Sequence, residues 1–203
     1  MEKIILIGYF IEMAELCEKC GCAVAGVVDY ELKGPYQYLG SDEEFIRKCS
    51  DYIAFPLVIT PDKPEVREKI YERYKGLGFS FKTLIAPEAI ISKSAEISEG
   101  CMIQSLCNIS SNVFLDKCVR VNTGANIMHD AKVGAFSVVA PDAVLLGHVS
   151  VGSKAYIGAN STLLPNIVIG DNATVGAGAV VTKPVADGFV VAGIPAHVLK
   201  KPD

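Results

Sequence analysis

Residues 126 to 134, NIMHDAKVG, place an imidazole beside a carboxylate at His129 and Asp130. The chain has three histidines, and this one lies in a long stretch of small and aliphatic residues. An imidazole, with an ordinary pKa of about 6.5, accepts a proton readily at neutral pH. A neighbouring carboxylate orients the ring and stabilises the imidazolium that forms. The pair is chemically suited to act as a general base, but the two residues alone leave open the alternative that both are solvated at a corner of the chain.

The sequence around this pair repeats every six residues. From Ile85 to Val181 every sixth residue is aliphatic, without interruption. Small residues recur two positions earlier, at Ala89, Ala95, Cys101, Cys107, Ala125, Ala131, Ser137, Ala143, Ala155, Ser161, Ala173 and Ala179. This period fits neither an α-helix nor an alternating strand, but it fits a parallel β-helix with three short strands per 18-residue coil. The repeat predicts about five coils, stacked about 4.8 Å apart.

Residues 18 positions apart stack in such a fold, which sets the surroundings of the His129–Asp130 pair. Gly147 is expected one coil beyond His129, where its missing side chain leaves a backbone N–H open to a reacting carbonyl. His148 is expected near Asp130 by the same spacing. Either the carboxylate is shared by two imidazoles or His148 is an exposed corner residue.

A different pattern precedes the repeat and predicts a small Rossmann-like parallel α/β domain over residues 1–82. The repeat and an irregular tail with a final strand or short helix then form a second domain over residues 83–203. The predicted elements of the first domain are the strand KIILIG, the helix IEMAELCEKC, the strand AVAGVVD, the Ser-capped helix SDEEFIRKC, the strand DYIAFPLVIT and the helix KPEVREKIYERYKGLG.

Charge and cysteine content narrow the functional classes. The net charge of −4 and the absence of a long basic run argue against nucleic acid or an anionic membrane as a partner. The apolar start MEKIILIGYF is too short for a signal peptide or a membrane span, so we expect a cytoplasmic protein. Seven cysteines, an odd number, indicate free thiols. The cluster at Cys17, Cys20 and Cys22 lacks a second ligand pair for zinc, and Cys101 and Cys107 are interpreted as inert packing.

The repeat and its ending, VGAGAVVTKPVADGFVVAGIPAHVL, resemble the hexapeptide acyltransferases, which fold as left-handed β-helices. With the α/β domain ahead of it, the whole chain is similar to the sugar acetyltransferases that include UDP-amino-sugar N-acetyltransferases of the bacillosamine type and sialic acid O-acetyltransferases. VNTGANIMHDAKVGAFS matches the active-site coil of that family and TLIAPEAIIS its domain junction. The resemblance implies a homotrimer that binds acetyl-CoA in a groove between neighbouring β-helices.

The resemblance also assigns roles to individual positions. It implies that His129 is the general base, that Asp130 raises its basicity, that Asn122 belongs to the same site and that Gly147 supplies the N–H to the oxyanion. The positions implied for acetyl-CoA are Val138, Gly147, Ala159 and Ala177, and those expected to bind the acceptor are Gly8, Tyr9, Asp29 and Tyr30.

The first domain departs from the family pattern in its loops. The turn after the first strand reads GYFIEMAE, with bulky residues after Gly8 where relatives have small ones, and the third loop reads TPDKPE. A glycine-rich turn lets backbone N–H groups approach a diphosphate at a helix N-terminus. The acceptor is therefore held differently, or is not a UDP-sugar, or the domain is only a structural cap.

The leading hypothesis is acetyl-CoA-dependent N-acetylation of a nucleotide-linked amino sugar of the UDP-4-amino type. The alternatives are O-acetylation of sialic acid or another sugar hydroxyl and, in a different class, a non-catalytic β-helix scaffold. A zinc enzyme of the γ-carbonic anhydrase type would need three convergent histidines, a spacing that His129, His148 and His197 do not offer. No metal is therefore expected.

Overall fold

The structure, a computed structural model, describes residues 1–32 and 34–202. The chain forms two compact units, Met1–Leu84 and Ile85–Asp203, whereas the sequence placed the boundary between residues 82 and 83. Within the described part of the chain, none of the helices has both the length and the apolar character needed to span a lipid bilayer.

The first unit is a three-stranded parallel sheet with helices in its connections. Its elements are β1 (Glu2–Ile7), α1 (Ile11–Lys19), β2 (Cys22–Val28), α2 (Asp42–Ile46), a 3₁₀-helix (Cys49–Tyr52), β3 (Leu57–Ile59) and α3 (Pro64–Gly76). The strand order is β2-β1-β3, so the chain crosses from one side of β1 to the other between β2 and β3. In doubly wound sheets such a reversal opens a crevice at the carboxyl ends of the strands, where ligands bind.

Local sequence explains most boundaries of this unit. Ser41 caps α2 through a capping box, in which its hydroxyl accepts from the Glu44 N–H and its own N–H donates to the Glu44 carboxylate. Pro64 occupies the first position of α3, where a missing N–H costs nothing. The strand predicted from Asp51 to Thr60 is wrong in its first half, because the 3₁₀-helix ends there and regular pairing with β1 is limited to Leu57–Ile59.

The second unit is a parallel β-helix with three faces, and every strand has two residues apart from the last two of the first face, which have three and four. The first face has the order β22-β21-β19-β16-β13-β10-β7-β4, the second β20-β17-β14-β11-β8-β5 and the third β18-β15-β12-β9-β6. The first face consists of β4 (Leu84–Ile85), β7 (Met102–Ile103), β10 (Arg120–Val121), β13 (Val138–Val139), β16 (Tyr156–Ile157), β19 (Thr174–Val175), β21 (Val190–Ala192) and β22 (His197–Lys200). The second face consists of β5 (Ile90–Ile91), β8 (Asn108–Ile109), β11 (Asn126–Ile127), β14 (Val144–Leu145), β17 (Thr162–Leu163) and β20 (Val180–Val181). The third face consists of β6 (Glu96–Ile97), β9 (Phe114–Leu115), β12 (Lys132–Val133), β15 (Ser150–Val151) and β18 (Val168–Ile169).

The six-residue period appears directly in the register of these strands. Asn126 pairs with Val144 and Ile127 with Leu145, so each residue lies beside the one 18 positions later. The aliphatic members from Ile103 to Val181 and the small residues two positions before them fill one continuous core along the axis of the helix. The predicted core of the repeat is therefore confirmed, and the tail ends in β21 paired antiparallel with β22.

The corners between faces have a repeated backbone conformation. From Gly100 to Gly178, the residue three positions after each aliphatic member adopts a left-handed conformation, for instance Asp130 at φ 59° and His148 at φ 60°. Asn and Asp tolerate this region better than most residues, and they occupy many of these corners. Gly134 packs so closely on the backbone of Gly152 that an added Cβ would lie 2.6 Å from its carbonyl carbon. The corner glycines thus allow the coils to stack.

Candidate functional site

His129 and Asp130 form the turn between β11 and β12, at the corner where the second face meets the third. The anchor of this turn is Ile127, which is fully buried, while the side chains of His129 and Asp130 are 55% and 36% exposed. The backbone is held on both sides, because the Asp130 N–H donates to Ser111 O in the preceding coil and the His148 N–H donates to His129 O from the next. The corner thus presents a solvent-facing pair on a rigid support.

Asp130 orients the His129 imidazole and is itself held by a hydrogen bond from the preceding coil. The distance from His129 Nδ1 to Asp130 Oδ2 is 2.9 Å, and Asn112 Nδ2 donates to Asp130 Oδ1 at 3.1 Å. These hydrogen bonds, from His129 first and Asn112 second, hold the pKa of Asp130 below its ordinary value. An ionised carboxylate only accepts, so Nδ1 carries the proton and Nε2 keeps its lone pair. Among the described residues none hydrogen-bonds to Nε2, which is therefore available to accept a proton from a substrate.

The next coil leaves room for the imidazole at Gly147. A Cβ at this position would lie 2.6 Å from His129 Cε1 and 2.7 Å from Nε2. Ordinary carbon contacts are about 3.5–4.0 Å, so any side chain here would displace the ring. The geometry places the unprotonated nitrogen directly against the backbone of Gly147.

The backbone N–H of Gly147 is not used by the fold. No residue that the structure describes accepts a hydrogen bond from it. Proline occupies the equivalent corner position at Pro87, Pro141 and Pro165, which shows that the β-helix does not need a donor there. An unpaired N–H beside an available imidazole nitrogen can stabilise negative charge that develops on a carbonyl oxygen.

His148 lies in the same cluster. Its ring is perpendicular to that of His129 with centroids 5.3 Å apart, and its Nε2 is 3.9 Å from Asp130 Oδ2. This distance is longer than a hydrogen bond. Asp130 therefore hydrogen-bonds to His129 and interacts with His148 only electrostatically. Over residues 1–32 and 34–202, His129, Asp130 and His148 form the one group of three or more His, Cys, Asp and Glu side chains whose donor atoms converge.

The remaining predicted residues of the β-helix lie away from this corner in the same chain. Val138 belongs to the first face, and Ala159 and Ala177 lie on the corner between the first and second faces. Asn122 precedes that same corner, so strand β11 separates it from His129. One chain therefore brings together His129, Asp130 and Gly147 but not the other four positions. Sequence reasoning missed Asn112, although its position 18 residues before Asp130 could have indicated it.

The four residues predicted to bind the acceptor share one cleft in the first unit. Gly8 and Tyr9 follow β1, and Asp29 and Tyr30 follow β2. They line two adjoining cavities of about 150 and 330 Å³, together with residues of the third loop such as Pro61. The cleft lies at the carboxyl ends of the strands, as expected for this type of sheet.

A carboxylate, not a glycine-rich turn, organises this cleft. Asp29 accepts hydrogen bonds from the Tyr9 N–H at 2.9 Å and from the Tyr30 N–H at 2.7 Å, which ties the first two loops together. Gly8 has φ 84°, and a Cβ there would lie 2.6 Å from Thr60 Oγ1, so glycine is required although its neighbours are bulky. The exposed Tyr30 ring stands at the rim.

Comparisons with known proteins find similar structures that cover both units of this chain. Residues 148–183 match the family model for the bacterial transferase hexapeptide (six repeats). PerB from Caulobacter crescentus, solved with CoA and GDP-perosamine, is 27% identical, with a TM-score of 0.92 and 98% of each chain covered. The acetyltransferase domain of PglB from Neisseria gonorrhoeae, solved with acetyl coenzyme A, is 28% identical, with a TM-score of 0.90 and 98% and 99% coverage of this chain and of that domain.

The chain is similar to hexapeptide-repeat sugar acetyltransferases over nearly its whole length. WeeI from Acinetobacter baumannii is also similar, at 26% identity with a TM-score of 0.80 over 97% of this chain and all of that one. The left-handed β-helix and the N-terminal α/β unit expected from the sequence are confirmed. Acetyl transfer from a thioester to a sugar needs a base, a donor to the oxyanion and a way to hold two substrates.

Proposed function

We propose that this protein transfers the acetyl group of acetyl-CoA to the amine of a nucleotide-linked amino sugar. The observation that carries the proposal is the corner at which His129 Nε2, with no partner among the described residues, faces Gly147 and its unused N–H. The similar structures support the substrate class, because PerB was solved with CoA and GDP-perosamine, and a mutant of GDP-perosamine N-acetyltransferase from Caulobacter crescentus was solved with the same two ligands.

The proposed chemistry assigns one atom to each task. His129 Nε2 accepts the proton that the sugar amine loses as its new bond to the acetyl carbon forms. Asp130 keeps the proton of the neutral imidazole on Nδ1 and stabilises the imidazolium. The Gly147 N–H stabilises the negative charge on the carbonyl oxygen, a contribution of about 3 kcal/mol for a well-placed donor. When the carbon–sulfur bond breaks, His129 returns the proton to the leaving CoA sulfur.

The acceptor is assigned to the cleft of the first unit. Its walls combine apolar side chains with the loops after β1 and β2, and Asp29 fixes both loops through their backbone. Acidic side chains Asp29 and Asp42 line it, and Asp42 is already engaged by Tyr74 and Arg73. The exposed Tyr30 ring is therefore the group we assign to the nucleotide.

Acetyl-CoA is assigned to a groove between two copies of the chain in a homotrimer. The positions expected to bind it, Val138, Ala159 and Ala177, lie on a different face and corner from His129, so one chain alone does not collect them. A neighbouring β-helix can present them beside the His129 corner, and three such contacts close a ring. Light scattering should give a mass about three times the chain mass of 21.7 kDa. Free thiols throughout the described chain fit a cytoplasmic location.

The test measures CoA thiol release with GDP-, UDP- and dTDP-linked 4-amino sugars, and with sialic acid as a hydroxyl acceptor. We expect turnover with one amino-sugar nucleotide and a loss of about 10²–10⁴-fold in kcat for His129→Ala. Lys132→Ala, which changes the exposed residue of the strand that follows, is the matched control and should retain activity. Turnover with sialic acid alone would replace N-acetylation by O-acetylation, and failure to bind acetyl-CoA would leave only a scaffold.

A further inference from the structure

Two imidazoles and a carboxylate meet at the His129 corner, and the acetyl transfer proposed above uses only one of the imidazoles. Donor atoms of His129, Asp130 and His148 all lie within 4.8 Å of one another. Zn²⁺ binds neutral imidazole nitrogen and carboxylate oxygen, which are the two kinds of donor atom in this cluster. The second imidazole completes the number of protein ligands typical of an open zinc site.

The three donor atoms are close enough for a movement of the His148 side chain to bring them to the spacing of zinc ligands. Ligands about 2.1 Å from a zinc ion are separated by about 3.0 Å at right angles and about 3.4 Å at the tetrahedral angle. His129 Nδ1 and Asp130 Oδ2 are 2.9 Å apart, and His148 Nε2 is 3.9 Å from the same oxygen. His148 has to approach Asp130 Oδ2 by about half an ångström, and it has to close on His129 as well, since the donor atoms of the three residues lie within 4.8 Å of one another. Its side chain is 57% exposed and therefore has room to move.

The surroundings also favour an added cation. The carboxylate is held in place by Asn112 from the preceding coil, which leaves its second oxygen for a metal. Solvent exposure of all three side chains leaves coordination positions for water and avoids the cost of burying an ion.

We propose that His129, Asp130 and His148 bind a Zn²⁺ ion that reversibly inhibits the enzyme. Zinc replaces the proton on His129 Nδ1, so the one remaining proton of a neutral imidazole resides on Nε2. Nε2 then donates a hydrogen bond and cannot accept the proton of the amine. The ion thus switches off the base without occupying the acceptor cleft or the Gly147 N–H. This effect on catalysis rests on the proposed function, whereas the binding itself does not.

Calorimetric titration of the purified full chain with ZnCl₂ tests the binding. We expect one high-affinity ion per chain, binding at least about tenfold more weakly to His148→Asn, since loss of even a supporting ligand contact typically costs about 10–100-fold. His197→Asn is the matched control, because it removes an exposed histidine outside the cluster and should leave the affinity unchanged. Equal affinity in wild type and His148→Asn would mean that thiols hold the ion and would overturn the proposal, as would no binding at all.

Steady-state kinetics with added ZnCl₂ test the consequence. We expect kcat to fall with zinc while the KM for acetyl-CoA stays constant, and EDTA to restore the full rate. Zinc that binds through His148 but leaves kcat unchanged would overturn the inhibition. If no acceptor is turned over in the absence of zinc, the proposed function fails, while the calorimetric result still decides the metal site.

Discussion

Replacing Gly147 by alanine tests the geometry of the site more directly than removing the histidine. The added methyl would lie 2.6 Å from His129 Cε1 and 2.7 Å from Nε2, about 1 Å inside ordinary contact. The corner backbone accepts alanine, because Ala135, Ala159 and Ala177 occupy the equivalent position in other coils. The imidazole is therefore the group that must move, and the N–H of residue 147 remains.

The expected effects on stability and on rate differ widely. The His129 ring is 55% exposed and held by a single hydrogen bond, so moving it should cost no more than about 1 kcal/mol of unfolding free energy. A base displaced by about 1 Å loses its alignment with the substrate, which typically reduces the rate about 10²-fold. We therefore expect a kcat about 10²-fold lower in a protein with a nearly unchanged melting temperature.

A double-mutant cycle with His129→Ala provides the control. In the His129→Ala background there is no ring to displace, so Gly147→Ala should have no further effect on kcat. Rates are measured by CoA thiol release at saturating acetyl-CoA, and melting by scanning calorimetry. A wild-type kcat for Gly147→Ala, or rate losses that multiply in the double variant, would refute the view that Gly147 makes room for the base.

Three further predictions follow from the same structure. Asn112→Ala should raise the pKa of Asp130, which carbon NMR of the carboxyl group measures. Because the hydrogen bond from Asn112 lowers this pKa in the folded protein, it stabilises the protein above about pH 4, and the stabilisation is lost as the pH falls. Burial raises the pKa of Cys101 to about 12 and of Cys107 to about 11, so neither thiol should react with a disulfide reagent at pH 8 until the protein unfolds. Ile127→Ala should lower the free energy of unfolding by about 2–5 kcal/mol in denaturant titrations, since this side chain is fully buried under the site.

The β-helix was predictable in detail because, with a fixed period, the residues that contact each other in neighbouring coils follow from their spacing in the sequence. Once each coil has 18 residues, Gly147 must lie against His129 and His148 near Asp130, and the structure has both neighbours in place. The same counting would have placed Asn112 beside Asp130. The regularity holds because every coil repeats one backbone conformation around the same buried aliphatic column.

The first unit has no such period, and the sequence predicted it less completely. Strand and helix order followed from hydrophobic pattern, but the segment before β3 became a 3₁₀-helix instead of a strand. The loop after β1 looked unsuited to binding because it lacks small residues. Its conformation instead depends on Asp29, 20 residues away, which accepts the Tyr9 N–H.

The sequence by itself therefore determined the β-helix, its core and the stacking of His129, Asp130, Gly147 and His148, because these follow from a local repeat. Tertiary structure alone decided which of these groups are hydrogen-bonded and which remain available. The proton on His129 Nδ1, the unused N–H of Gly147 and the 3.9 Å gap between His148 and Asp130 depend on side-chain orientations at a corner. Spacing along the chain sets which residues are neighbours, whereas hydrogen-bond geometry within about 3 Å sets what they can do.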